Sequence, residues 1–233
     1  MKKLLCAVFL FMFLVSTAFA EPGFRGRPIT NNLMMPTGYT LNQNEFIVGI
    51  GSIGYGITDN IQVGTNILLF LFQVYNVNLK ASFIKTEKMA FAAGVEFAKF
   101  NLDVFSDDDD DNADFTTISP FVVLSTKMGE KTTLHVAGMY TAWSGDYETD
   151  EVDVTSTTSG TRIYGGVDHN LSIKTKFLAE AGYDIEFEGF FAGGGVLFGW
   201  EKFRLKLGVT YYSPEGSDGF TLPNIGIWWR FKA

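Results

Sequence analysis

Phe203-Arg204-Leu205-Lys206-Leu207-Gly208-Val209-Thr210-Tyr211 alternates apolar residues with polar or small ones. Side chains along a strand point to opposite faces in turn, so a period of two sorts them onto two surfaces. Phe203, Leu205, Leu207, Val209 and Tyr211 share one surface; Arg204, Lys206, Gly208 and Thr210 share the other. Two earlier stretches repeat the pattern. Ile61, Val63, Thr65, Ile67, Leu69 and Leu71 oppose Gln62, Gly64 and Asn66. Tyr75, Val77, Leu79, Ala81 and Phe83 oppose Asn76, Asn78, Lys80 and Ser82. Such strands require an apolar medium on one side and a polar one on the other.

Composition narrows the choice. The 233 residues suffice for one domain or two small ones. Hydrophobic residues make up 46%, aromatic 15% and charged 19%, with 25 Gly and 23 Phe. The aromatic content excludes intrinsic disorder. The balance of 18 bases against 26 acids argues against nucleic acid as a partner. A single cysteine, Cys6, excludes a disulfide framework and a cysteine-based zinc site. Low charge with abundant glycine and aromatics suits a sheet whose outer face meets lipid.

The chain opens with Lys2 and Lys3, an apolar run from Leu4 to Val15, and Ala18-Phe19-Ala20. This is the pattern of a secretory signal peptide over residues 1–20, cleaved before Glu21. Cys6 lies at the front of the apolar run, whereas a lipidated cysteine follows it. The mature segment 21–233 reads as one domain, loses two bases to leave 16 against 26 acids, and has no cysteine. That composition suits passage through an oxidising periplasm. Beyond residue 20 no apolar segment is long enough for a spanning helix. Only helices and closed barrels satisfy all backbone groups inside lipid. The expected fold is therefore a closed antiparallel up-and-down transmembrane β-barrel in the bacterial outer membrane.

Alternation predicts strands near 45–57, 61–72, 74–86, 89–102, 115–127, 131–143, 161–171, 175–187, 190–200, 203–213 and 220–232. Tight turns fall at Thr58-Asp59-Asn60, Lys85 to Lys88, Lys127 to Lys131, Ser172 to Thr175 and Glu201-Lys202. Longer polar connections, Asp103 to Asp114, Asp146 to Gly160 and Ser213 to Gly219, fall at the other end. Short periplasmic turns and longer external loops mark outer-membrane barrels. A periplasmic N-terminus then needs one more outward strand before 45–57, for which Leu33 to Leu41 is the candidate. The expectation is twelve strands, with ten as the alternative. Pro120 disagrees with its strand, where it removes a ladder hydrogen bond, and implies a bulge or a different register.

The last strand reads Asn224-Ile225-Gly226-Ile227-Trp228-Trp229-Arg230-Phe231. Ile225, Ile227, Trp229 and Phe231 form a lipid face with aromatics at the interface; Trp228 and Arg230 point inward. Asn224, Gly226, Trp229 and Phe231 resemble the C-terminal signal of bacterial outer-membrane barrels, which implies the barrel assembly machinery as a partner. Lys232-Ala233 departs from it, since that signal more often ends on its aromatic residue. Met35 to Leu41, Tyr55 to Asn60 and Val63-Gly64-Thr65 resemble the opening of small, uncharacterised Gram-negative outer-membrane barrel proteins. That resemblance implies a fold and no mechanism.

Parity places Lys80, Glu96, Arg162, Asp168, Glu180, Asp184, Glu186, Arg204, Lys206 and Arg230 inside the barrel. Charges on the lipid face cost about 2–4 kcal/mol at the midplane, so the lumen suits them. They imply either a narrow pore guiding small solutes or a structural envelope component with paired charges filling the interior. Inward glycines at 64, 94, 182, 193, 195 and 208 leave room for long side chains to cross. Asp107, Asp109 and Asp111 are candidate cation ligands that would also link the rim to lipopolysaccharide, the expected partner together with outer-membrane lipid. The acidic run lacks the spaced ligands and turn glycine of an ordered calcium loop, so it reads as a hydrated rim. No metal or cofactor is expected.

The alternative function is a lipid-modifying hydrolase, such as a lipid A deacylase or phospholipase. It needs a serine, a histidine and an orienting acid in hydrogen-bond reach. His135 points inward, with Ser119 and Ser125 on a neighbouring strand; His169 and Ser172 lie on opposite faces. No His–Ser pair two residues apart on one face occurs, so no catalytic residue is assigned.

Overall fold

The computed structural model describes residues 28–101, 112–148, 153–216 and 218–232. The expected signal peptide, residues 1–20, lies outside them, as do Asp107, Asp109 and Asp111.

Twelve strands close one barrel. They are β1 (Glu45–Ile50), β2 (Ser52–Thr58), β3 (Ile61–Thr65), β4 (Val74–Lys85), β5 (Met89–Asn101) and β6 (Asn112–Met128). Then follow β7 (Thr132–Glu148), β8 (Asp153–Asn170), β9 (Thr175–Asp184), β10 (Gly189–Gly199), β11 (Phe203–Ser213) and β12 (Phe220–Lys232). Each strand pairs antiparallel with its sequence neighbours, and β1 closes the ring on β12 through Glu45↔Lys232 to Ile50↔Ile227. One short helix, α1 (Ile67–Phe70), interrupts the wall between β3 and β4.

The outer surface is apolar. Tyr75, Val77 and Leu79 of β4, Val122 and Leu124 of β6, and Leu207, Val209 and Tyr211 of β11 are exposed on it. Their in-between neighbours Lys80, Ser82, Val123, Ser125, Arg204 and Thr210 are buried inside. A closed sheet with an apolar exterior and polar interior is the architecture of an outer-membrane barrel, and this chain is one.

Twelve strands arise differently from the expected way. Leu33 to Leu41 is not a strand of the wall. The additional strand comes from the stretch 45–57, which Gly51 divides into β1 and β2 with φ of +88°. Residues with a Cβ rarely adopt that conformation, so the two-residue turn Ile50-Gly51, closed by the Gly49↔Ser52 pair, takes glycine at its second position. The outward apolar set moves from even positions (Phe46, Ile50) to odd ones (Tyr55, Ile57) across this turn, so the reversal shows in 45–57 as a one-residue slip of the period. With β1 running outward, Leu33 to Leu41 is released from the wall and folds inside it.

Three other expectations change. The stretch 61–72 leaves the sheet after Thr65, and its Leu-rich end becomes α1, capped by the Asn66 side chain on Leu68 N–H at 3.1 Å. Asp146 to Gly160 is mostly strand, since β7 reaches Glu148 and β8 starts at Asp153. Its Ser/Thr run is polar on both faces and so lacks alternation, yet it ladders with β7 as far as Glu148↔Asp153. Pro120 produces neither a bulge nor a shift. It faces outward, pairs with Val95, and the β6–β7 ladder omits Ser119 and Pro120 while keeping one register from Ile118↔Ala142 to Phe121↔Met139.

Gly51→Val is expected to lower unfolding stability by roughly 1–3 kcal/mol. Space around the site is open, with the nearest atom to a built Cβ at 3.6 Å, so the cost is backbone strain alone. Urea titration of the refolded barrel should show the loss, and Gly51→Asn should recover most of it.

Candidate functional site

Residues 28–42 fold back into the lumen as a plug. A tight hairpin forms within it, with Asn31 bridged to Pro36, Asn32 N–H donating to Met35 C=O at 2.9 Å, and Thr37 N–H donating to Thr30 C=O at 3.0 Å. Beyond this hairpin the plug has little regular structure, so side chains of the wall satisfy its backbone. Glu180 of β9 accepts three consecutive N–H groups, from Leu33 at 3.1 Å, Met34 at 2.9 Å and Met35 at 3.2 Å. Two strands further along the wall, Lys206 of β11 donates to the carbonyls of Asn32 at 2.9 Å and Leu33 at 2.8 Å. Lys80 of β4 donates to Thr30 C=O at 2.7 Å and Thr37 C=O at 3.2 Å. Further along, Ser82 donates to Gly38 C=O at 3.0 Å, and Gln62 accepts from Leu41 N–H at 2.9 Å.

Apolar contacts complete the seat. Ile29 and Leu33 cluster with Leu178 and Leu197, and Met35 clusters with Phe121, Met139, Tyr164 and Phe191. Leu33 lies over a patch of three wall glycines: a Cβ at Gly193, Gly195 or Gly208 would come within 3.0 Å of its methyl carbons. Those inward glycines make room for the plug rather than for crossing wall side chains.

Beneath the plug runs a second network. The Ser125 hydroxyl of β6 lies 2.7 Å from His135 Nδ1 of β7, and His135 Nε2 lies 3.1 Å from Asp168 Oδ2 of β8. Lys176 Nζ of β9 lies 2.5 Å from Asp168 Oδ1. All four side chains are buried. Ser125 donates to Nδ1 if Nε2–H donates to Asp168, the arrangement that satisfies every atom. Ser125 Oγ in turn accepts Gly38 N–H of the plug at 2.7 Å. Serine, histidine and acid are therefore linked in the order of a hydrolytic triad. The hydroxyl, however, is covered and engaged by the plug.

The remaining charges sit as follows. Arg162 pairs with Asp184 across β8 and β9 at 2.9 Å, and its guanidinium stands over the Tyr164 and Phe191 rings. Arg230 makes a two-bond pair with buried Glu45, which parity reasoning had not singled out. Arg204 donates to the carbonyls of Trp200, Glu201 and Phe203 at the tight-turn end. Glu96 shares the lumen face of β5 yet stays exposed. Glu186 is not in the lumen. It lies in the exposed β9–β10 turn, because β9 ends at Asp184, and it accepts from the Thr161 N–H and hydroxyl. The Thr161 N–H holds its carboxyl below the ordinary range. Lys176 escaped notice although it shares the parity of Glu180 and Asp184.

Above the hairpin tip is a cavity of about 310 Å³, floored by Met34 and walled by Arg162, Tyr164, Phe191, Tyr212 and Phe220. It opens at the end that carries the longer connections. A second cavity, of about 340 Å³, lies between the plug and β12.

No family model and no curated protein sequence matches the chain. Among solved structures it is similar to in-vitro folded OmpT of Vibrio cholerae, an outer membrane protein in trimer form. Identity is 16% and the TM-score 0.41, over 77% of this chain and 63% of that one. The chain thus spans less than two thirds of the OmpT that it matches. It is also similar to Ail, the attachment invasion locus protein of Yersinia pestis, at 11% identity and a TM-score of 0.32, over 80% of this chain and 91% of that one.

Replacing Asp168 by Ala removes a charged partner from both a buried lysine and a buried histidine. It is expected to cost about 3–5 kcal/mol of unfolding free energy. Ser125→Ala removes one neutral partner and should cost about 1–3 kcal/mol. Urea unfolding followed by tryptophan emission measures both.

Proposed function

We propose that this chain is a non-enzymatic outer-membrane protein whose narrow polar conduit for small solutes is closed by its own N-terminal plug. The observation that carries this reading is the Glu180 carboxylate accepting the Leu33, Met34 and Met35 amides. Side chains bind the plug to the wall through hydrogen bonds and small apolar contacts, not through strand pairing. Such contacts break one by one without opening the sheet, so the plug can shift while the barrel stays closed. Solutes reach the plug through the vestibule above Met34. Lumen charges beside the plug give a displaced state polar walls.

Planar bilayers test this. Wild-type protein should conduct in rare, small steps. Combining Glu180→Gln with Lys206→Met takes the charge and one acceptor oxygen from the first contact and all the donors from the second, each charged bond contributing about 1.5–3 kcal/mol. Open probability should then rise about tenfold or more. Silence of both proteins over many insertions would leave a structural envelope role in place of conduction.

Partners follow from the location. Lipid and lipopolysaccharide meet the apolar exterior, and Asn224, Gly226, Trp229 and Phe231 act as the signal read by the barrel assembly machinery. Phe231 packs against Phe46 of β1 with ring centroids 5.5 Å apart across the closing seam, so the same aromatic that would be read also seals the ring.

The ordered Ser125, His135 and Asp168 favour one second reading, a hydrolase whose nucleophile is uncovered when the plug leaves. Its test is chemical. A fluorophosphonate should label Ser125 in the Glu180→Gln, Lys206→Met protein if that reading holds. Absence of label there, with an unchanged membrane lipid profile in His135→Ala cells, removes it.

A further inference from the structure

The wall is not of even height. A strand needs about 9–11 residues to cross the hydrocarbon layer. β1, β2 and β3 have 6, 7 and 5 residues. β12 has 13, and its pairing to β1 stops at Ile50↔Ile227 while its pairing to β11 continues to Phe220↔Tyr212. Residues from Phe220 to Gly226 therefore have a strand neighbour on one side only. At about 3.3 Å per residue this free edge is roughly 20 Å long. It lies toward the external end, at the depth where the three short strands fall below lipid level.

An open edge inside lipid is costly unless it borders a filled cavity. Pro223 lies on this edge and, lacking an N–H, suits an unpaired position. Across the gap stand the Gly51 reversal and α1, with Leu68 exposed. The cavity of about 340 Å³ between plug and β12 opens here and passes through the wall. Its outer rim carries the apolar Ile50, Leu68, Pro223 and Ile225, with the uncharged Ser52 and Asn66 beside the Gly51 turn. Its inner end is basic, with Arg204, Lys206 and Arg230 around the lumen-facing Trp228.

From this arrangement we infer that the notch is a lateral binding site for a single-chain fatty acid, its carboxylate at the basic inner end and its alkyl chain passing over the rim into the outer leaflet. Charge fixes the polarity of the ligand: Arg204, Lys206 and Arg230 outnumber the two carboxylates beside them, Glu45 on Arg230 and Glu180 on the Leu33 backbone that Lys206 also holds, so the inner end is net positive, and no charged side chain lines the rim. Geometry fixes its form. A carboxylate head with its first methylenes fits the cavity, and the rest of the chain needs only the apolar rim. The site goes beyond the plugged conduit, and it fills without any movement of the plug.

The test uses full-length protein refolded in phosphatidylcholine vesicles at pH 8, carrying Trp143→Phe, Trp200→Phe and Trp229→Phe so that Trp228 alone emits. The probe is 2-bromododecanoate, whose bromine sits beside the carboxylate. The expected result is saturable quenching of Trp228 by about two-fold, with the uncharged methyl ester requiring about ten times more probe. Gly226→Leu should abolish saturation, because a built Cβ there points between the Trp228 ring at 3.1 Å and Lys206 Cε at 3.5 Å. Arg204→Gln, which leaves the β12 signal intact, should raise the half-saturating concentration about tenfold. Heat-modifiable gel mobility confirms that each variant is folded. Quenching that rises linearly with probe, or that is equal for acid and ester, would overturn the site. Neither outcome bears on conduction, which is read separately.

Discussion

Everything inside this barrel depends on satisfying the backbone of a chain segment that has almost no secondary structure of its own. A buried amide or carbonyl without a partner costs roughly 1–3 kcal/mol. Within residues 28–42 the hairpin supplies only a few of the bonds needed. The wall supplies the others: a carboxylate for three amides, two ammonium groups for four carbonyls, and Ser125, Ser82 and Gln62 for the remainder of the path. The lumen charges are thus complements to the dipoles of the plug more than partners for one another. Arg162 with Asp184, Arg230 with Glu45, and Lys176 with Asp168 form direct ion pairs beside the plug.

This explains the uneven use of glycine and bulk around the ring. β10 and β11 give up side chains at Gly193, Gly195 and Gly208 where Leu33 presses on the wall. Opposite, β6 and β7 keep Phe121, Val123 and Met139, which close around Met35. The interior is filled asymmetrically, and the space left over falls beside β12, where the wall is also lowest. The cavity and the notch therefore coincide.

The buried Ser125–His135–Asp168–Lys176 chain shows how order alone can mislead. Its sequence of groups suits nucleophilic chemistry, but the serine oxygen also accepts the Gly38 amide. Four strands, β6 to β9, are joined through this chain at the tight-turn end, directly under the plug. With the plug seated, its geometry is that of a clamp between wall and plug.

Much of the architecture was legible from period two. Alternation in 203–211 and 75–83 reports which face meets lipid, and the tight-turn residues report where strands reverse, because both are local properties of adjacent residues. Local patterns also misled where two states share them. The reversal at Gly51 shows only as a one-residue slip between Phe46, Ile50 and Tyr55, Ile57, the Leu-rich end of 61–72 suits a helix as well as a strand, and the Ser/Thr run before Gly160 pairs without alternating. The sequence by itself therefore determined a lipid-facing sheet, its closure and an inward set of charges. What those charges hold was decided only by the tertiary structure. The plug has no period to read, since its partners are side chains some twenty to 170 residues away, on strands that closure alone brings to about 3 Å from its backbone.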